Sequence, residues 1–409
     1  MSSCIRRGTS PFFAACLVLA TVVNSASAQA PTAVPAGAIP QDFRSQHFVL
    51  HTDLTAAEAK ELLEKLEYML GIISVYWQKP PKGIIECYVA KDVAKWPAGS
   101  IPDDYGRQKI ARREGVTVSL VLGNEGKSTV YASAEGGVAQ HEAVHAYCAQ
   151  NFGTTGPTWY SEGMAEMGQY WRKGALDVQV HEYVVKHIRE SEPKSLNAIV
   201  NSNETTGDSW ENYAWRWALC HLLASNSNYA ASFRPLGLGI LNQKPVSFEQ
   251  AYGHMANEIS FEYLFFLQRL CNGFRNDLCA WDWKRKFTAM APGTARTMPV
   301  QAGRGFQPTG VLVKVGQSYD VNCTGTWKLD KKSTKPMTAA GEEGTKPEDD
   351  GKLIGAIFSD FQLSEEFEIG ATGSFSIPSD GQLFVRCRSD WGSLGDNTGT
   401  ITVKLTAAK

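Results

Sequence analysis

The chain has 409 residues, 43% hydrophobic and 20% charged, which excludes a disordered or fibrous polymer and suffices for two or three packed domains. Without Arg6 and Arg7, the only charges of its first 28 residues, 38 basic residues face 42 acidic ones. A net charge near −4 excludes the broad cationic surface that a nucleic-acid partner requires.

Residues 1–28 have the form of a secretory signal: Arg6 and Arg7, an apolar run from Phe12 to Val23, and the small-residue cleavage pattern Ala26-Ser27-Ala28. The expected location after cleavage is secreted or periplasmic. No later stretch reaches the roughly 18 consecutive apolar residues of a membrane span. Seven cysteines would remain (Cys87, Cys148, Cys220, Cys271, Cys279, Cys323, Cys387). An oxidising compartment favours disulfides, and the pairings expected are Cys271 with Cys279 and Cys323 with Cys387.

Phe43 to Thr52 is strand-like. Thr55 then caps an amphipathic helix reaching about Tyr76, with Glu58 in the capping-box position and Leu62, Leu63, Leu66, Met69, Leu70 and Ile73 on one stripe. Strands follow at Ile84 to Val89, Val116 to Leu122 and Val130 to Ser133. The segment Thr129 to Ser133 is expected to lie at a sheet edge, where an extended peptide could add by backbone pairing. Gly136-Gly137 turns the chain into a helix from about Val138 to Gln150, and helical patterning continues to about Thr288. Ala291 to Pro308, rich in proline and glycine, reads as a linker. Beyond it, alternating strands from Gly310 to Leu405, interrupted by the polar loop Lys328 to Lys352, predict a β-sandwich. The expected fold is α+β: a zincin-like domain with a small mixed sheet over 40–290, a linker over 291–308, and an all-β sandwich over 309–409.

The chemistry concentrates in His141-Glu142-Ala143-Val144-His145. Residues four apart on a helix face the same way, so two imidazoles can converge on one zinc ion, with Glu142 beside them as general base. A catalytic zinc needs a third protein ligand and an open fourth position. The turn Gly153 to Pro157 lets the segment Trp159-Tyr160-Ser161-Glu162-Gly163-Met164-Ala165-Glu166 fold back antiparallel and bring Glu162 or Glu166 to the histidines. Glu162 is the preferred ligand, and Glu166 the acceptor that orients a ligand histidine, its other reading being a solvated helix charge.

The paired HExxH and W-x-x-E-G-x-A-E elements resemble the gluzincin, or peptidase MA, superfamily over about Phe43 to Leu223. The resemblance implies a zinc metallopeptidase acting on peptides or proteins, with His141, His145 and Glu162 on the metal and Glu142 as base. Tyr213 stands where such enzymes carry a tyrosine that stabilises the oxyanion, and a packed core tyrosine is the other reading. His221 is a second, more structural candidate, and Cys148 could face the metal or simply pack.

Residues 310–405 resemble the calcium-dependent galactose-binding lectins of the PA-I type. The matching elements are Gly316-Gln317, Gly325-x-Trp327, Gly351-Lys352-Leu353-Ile354-Gly355, Gly381-Gln382-Leu383, Ser389-Asp390 and Asp396-Asn397-x-Gly399. The resemblance implies calcium at Asp390, Asp396 and Asn397 and a carbohydrate or glycoprotein partner. Three functions therefore compete: a working zinc peptidase, an inactive zincin-fold protein acting as a glycan- or surface-binding module, and a purely structural exported protein, with the intact set of two histidines and two glutamates favouring the first.

Overall fold

Period-two burial along Phe48–Thr52, where Phe48, Leu50 and Thr52 are fully buried, is the local signature of a strand with a core side. The computed structural model describes residues 2–6, 40–122, 125–172, 174–202, 209–332, 334–342 and 350–409. It divides into two units, residues 1–169 with 204–210, and residues 170–203 with 211–409. Apart from residues 2–6, the expected signal peptide lies outside the described residues. No described helix is long and apolar enough to cross a membrane.

The first unit is built on a six-stranded mixed sheet of β1 (Ser2–Arg6), β2 (Gln41–Arg44), β3 (Phe48–Thr52), β4 (Ile85–Ala90), β5 (Gly115–Leu122) and β6 (Glu125–Ser133), ordered β1-β5-β6-β4-β3-β2. The strand expected from Phe43 to Thr52 is a hairpin of β2 and β3 instead, Arg44 opposite Val49. Strands β3, β4 and β6 run parallel, and β5 runs antiparallel to β6. Strand β6 is thus paired on both sides, so the edge expected at Thr129 to Ser133 does not exist. Helix α1 (Ala56–Tyr76) begins with the expected capping box, Thr55 and Glu58 bonding reciprocally. One face of the sheet, with Tyr88, Val116 and Tyr131, forms a core with Ile110 of α2 (Asp104–Ala111). Gly106 of α2 sits so near the Tyr131 ring that a Cβ there would lie 2.4 Å from it.

The opposite face carries α3 (Val138–Phe152), in which residues 139–151 are all buried. Such a helix needs close neighbours on every side, and the sheet offers small ones. Gly115, Thr117 and Ser119 alternate on β5 beside Ala132 and Ser128 of β6, and a Cβ on Gly126 would meet the Gln150 backbone at 3.0 Å. Helix α4 (Thr158–Tyr170) closes against α3 through Gly168, where a Cβ would lie 2.4 Å from Val144. Helix α1 joins them: Trp77 Nε1 donates to Tyr160 Oη at 3.0 Å, and its ring stacks on Tyr147.

The second unit begins with helices α5 (Glu182–Glu190), α6 (Leu196–Val200), α7 (Trp210–Ser225), α8 (Ala230–Leu241), α9 (Phe248–Tyr252), α10 (Ala256–Gln268) and α11 (Asn276–Cys279). Two sheets follow. One has β8 (Gln307–Val313), β10 (Leu353–Ser359), β11 (Gln362–Leu363), β12 (Phe367–Glu368) and β14 (Gly381–Cys387); the other has β7 (Ala295–Gln301), β9 (Ser318–Lys328), β13 (Thr372–Ser376) and β15 (Thr398–Ala407). They share a core around Trp327, Leu353, Leu383, Val321 and Val403, and the fold class is α+β.

The stretch 291–308 is not a linker, because it contains β7, paired with β15 from Ala295 to Gln301. Its prolines fit: Pro299 and Pro308 lie on β7 and β8, each at the end of its sheet, where a missing N–H is tolerated. Aromatic contacts also reach the strands from the preceding segment of this unit, Phe261 of α10 to Phe358 at 4.9 Å and Trp281, just after α11, to Phe384 at 4.1 Å. The expected disulfides are absent: Cys271, Cys279 and Cys323 are free thiols.

Candidate metal centre

Helix α3 starts from Gly137 at φ 84°, a left-handed conformation that glycine adopts without strain. A Cβ there would also approach Gln169 at 3.0 Å, so this glycine lets α3 begin directly against α4. The i, i+4 spacing then aims His141 and His145 the same way, with their Nε2 atoms 3.2 Å apart. Glu162, in the first half of α4, completes the triangle: its Oε2 lies 3.3 Å from His141 Nε2 and 3.3 Å from His145 Nε2. All three residues are buried. Among the described residues this is the one group of three His, Cys, Asp or Glu side chains whose ligand atoms lie within 4.8 Å of one another.

Two observations test whether this group fits a cation. Neither carboxylate oxygen of Glu162 accepts a hydrogen bond among the described residues, although both are buried, and an unsatisfied buried carboxylate is costly. A tetrahedral ion bound at ordinary zinc–nitrogen and zinc–oxygen lengths needs donors about 3.3 Å apart. The observed edges of 3.2, 3.3 and 3.3 Å meet that requirement.

The imidazole nitrogens that face away from the triangle are held as well. Glu166 Oε1 lies 3.0 Å from His141 Nδ1, and Ser161 Oγ lies 3.3 Å from His145 Nδ1. These contacts orient both rings with Nε2 toward Glu162. The electrostatics agree with this crowding. Burial works to lower the pKa of His141, but Glu162 and Glu166 outweigh it and push the group up to about 10. Burial works to raise Glu162, but His145 and His141 hold it down at about 2. The cluster favours positive charge on the His141 imidazole and negative charge on Glu162, a balance in which a divalent cation would take the place of a proton.

Glu142 is fully buried and its carboxylate meets β5: Thr117 Oγ1 lies 2.8 Å from both Glu142 O and Glu142 Oε2. Thr117, Gly115 and Ser161 are not among the residues that sequence reasoning marks as functional. The first two reach the site through pairing with β6, and the third is inconspicuous beside Glu162.

None of the remaining candidates is among the three residues of the metal group. Tyr213 is buried on α7 in the second unit, with the Arg216 guanidinium 5.5 Å from its ring, whereas the metal group belongs to the first unit. His221 packs against Trp217 and Phe266, and burial pushes its pKa down to about 4. Cys148 is buried in α3 and is not part of the metal group. In the C-terminal sandwich, Asp396 pairs with Lys331 at 2.9 Å, Asp390 Oδ1 accepts from Gly392 N at 2.8 Å, and Asn397 Nδ2 donates to Ser389 Oγ at 2.8 Å. Of the three residues expected to bind calcium, Asp390 and Asp396 have protein partners at their carboxylates, one of them a lysine, whereas Asn397 uses only its amide nitrogen and its buried Oδ1 accepts no hydrogen bond from the described residues.

No family model and no curated protein sequence matches the chain. Among solved structures, it is similar to the "EclA N-terminal domain; PllA-like lectin" at 19% identity, over 27% of this chain and 95% of that chain. The TM-score of 0.23 is too low for this likeness to carry an argument about fold or ligand.

Proposed function

We propose that this protein is a zinc-dependent peptidase that hydrolyses peptide bonds with Glu142 as general base. The observation that carries this reading is the buried triangle of His141, His145 and Glu162, whose carboxylate accepts no hydrogen bond from the described residues. Two imidazoles and one carboxylate are the donor set of catalytic zinc sites, and their chemistry suits zinc better than calcium or magnesium. When bound, zinc supplies Lewis acidity and brings the pKa of a coordinated water to about 7.

The chain's own residues do the rest. His141, His145 and Glu162 hold the ion; Glu166 and Ser161 fix the ring orientations. Glu142, next to His141 on the same helix, takes the proton from the attacking water at its carboxylate and passes it to the leaving amine. The peptide substrate class rests on the resemblance of the HExxH and W-x-x-E-G-x-A-E elements to gluzincins.

The test is hydrolysis of a mixed peptide library by zinc-loaded protein, by protein treated with a chelator, and by Glu142→Gln. Chelation should abolish cleavage, zinc should restore it, and Glu142→Gln should retain zinc while losing about 10²–10⁴-fold in kcat. Cleavage by Glu142→Gln at the wild-type rate would overturn the assignment of the base. Bound zinc without any cleavage would favour a binding role.

A further inference from the structure

The position of Glu142 is set from outside its own helix. Gly115 and Thr117 lie two apart on β5 and therefore face the same side of the sheet, toward α3. At Gly115 a Cβ would come within 2.7 Å of Glu142 Cγ, 2.8 Å of Glu142 Oε1 and 2.6 Å of Val138 Cγ1, so the carboxylate side chain occupies the space that any other residue would fill. One step along the same face, Thr117 Oγ1 lies 2.8 Å from Glu142 Oε2 and 2.8 Å from Glu142 O. The hydroxyl has a single proton. The carbonyl of Glu142, in the middle of α3, is already an acceptor in the helical ladder, whereas a carboxylate forms the stronger, charge-assisted bond. The proton belongs on Oε2.

We infer that Gly115 and Thr117 form a socket on β5 that positions the Glu142 carboxylate: Gly115 by leaving room for it, Thr117 by donating to Oε2. The inference rests on the role of Glu142 under the proposed function. It assigns both as positioning residues, acting through Glu142, in a strand that supplies no metal ligand. A carboxylate held on one side by a hydroxyl and on the other by a glycine surface has little freedom to swing, and proton transfer is sensitive to displacements of about 1 Å.

Three variants test it: Thr117→Val, which keeps the shape and removes the donor; Thr117→Ser, which keeps the donor; and Gly115→Ala, which fills the space. Zinc content should stay at the wild-type level in all three, because no ligand is touched. With peptide substrate, Thr117→Val should lower kcat about 10-fold and Gly115→Ala about 10–100-fold, with KM unchanged within about twofold. Thr117→Ser should restore kcat to within about twofold of wild type. A second readout does not depend on turnover: crystal structures of zinc-loaded wild type, Gly115→Ala and Thr117→Val should show the Glu142 carboxylate displaced in both variants. The socket is overturned if Thr117→Val and Gly115→Ala keep wild-type kcat while Glu142→Gln is inactive, or if the carboxylate stays in place in both structures. Absence of any zinc-dependent cleavage by the wild type would instead sink the peptidase reading, and the structures would still decide the socket.

Discussion

Two places in this sequence suggest a metal ion, and they have fared differently. On α3 and α4, His141, His145 and Glu162 converge to within 3.3 Å of one another, and their outer contacts hold them there. In the loop before β15, the carboxylates of Asp390 and Asp396 each turn to a partner of their own, Asp396 to the ammonium of Lys331, and only the buried Oδ1 of Asn397 accepts no hydrogen bond from the described residues. The lesson concerns the frame behind each motif. Helical spacing fixes side-chain direction before any tertiary contact forms, so an i, i+4 pair commits two ligands at once. A loop motif fixes only composition, and each side chain takes the nearest partner.

The largest test of this contrast removes a ligand. His145→Ala or Glu162→Ala should lower bound zinc from about one ion per chain to about a tenth or less, measured by elemental analysis after desalting. Full zinc retention by Glu162→Ala would break the comparison at its stronger end. A smaller effect is expected behind the ligands: Glu166→Gln or Ser161→Ala should weaken zinc binding about 10–100-fold in competition with a chromogenic chelator. Affinities equal to wild type would mean that the imidazoles need no outer support.

The sandwich should respond to protons rather than to metals. Arg388 Nε donates to Asp350 Oδ1 at 2.9 Å and Nη2 to Oδ2, joining the end of the 328–352 loop to the residue that follows β14. Burial works to raise the Asp350 carboxyl, but Arg388 holds it below the ordinary 3.8. A depressed folded pKa stabilises above the unfolded value, and that stability is lost as pH falls through the folded one. Asp350→Asn should therefore cost about 1–3 kcal/mol at neutral pH and progressively less below about pH 4, read from Tm against pH. A constant difference down to pH 2 would show that the ion pair is not its source. The smallest effect expected is that of calcium: millimolar calcium should shift Tm by less than about 1 °C, since a ligand stabilises only what it binds. A clear rise that disappears in Asp396→Ala would restore calcium to the loop and erase the contrast.

What could be read in advance follows the same division. The capping box at Thr55 and Glu58, the convergence of the two histidines and the return of Glu162 on α4 are local or near-local patterns, and all are present. The interior place of β6 was not legible, because pairing with β4 joins residues 43 positions apart, Glu86 with Thr129. Pro299 and Pro308 suggested a linker because proline composition looks alike in a connector and in an edge strand. The socket at Gly115 and Thr117 escaped notice because a glycine and a threonine in a strand carry no chemical signature until a helix is laid across them.

The row of small residues beneath α3 also governs how this protein can drift. A methyl group added at Gly115 meets the Glu142 side chain and one at Gly126 meets the Gln150 backbone, so ordinary strand-favouring changes displace the proposed base at the first position and press on the helix that bears both histidines at the second. Substitutions should be tolerated freely at Leu120, which is half exposed, and rejected at Ser119, which is buried. Lineages that keep the metal group should therefore keep small residues at Gly115, Thr117 and Ser119 and apolar ones at Val116 and Val118, with variation confined to the end of β5 near Leu120.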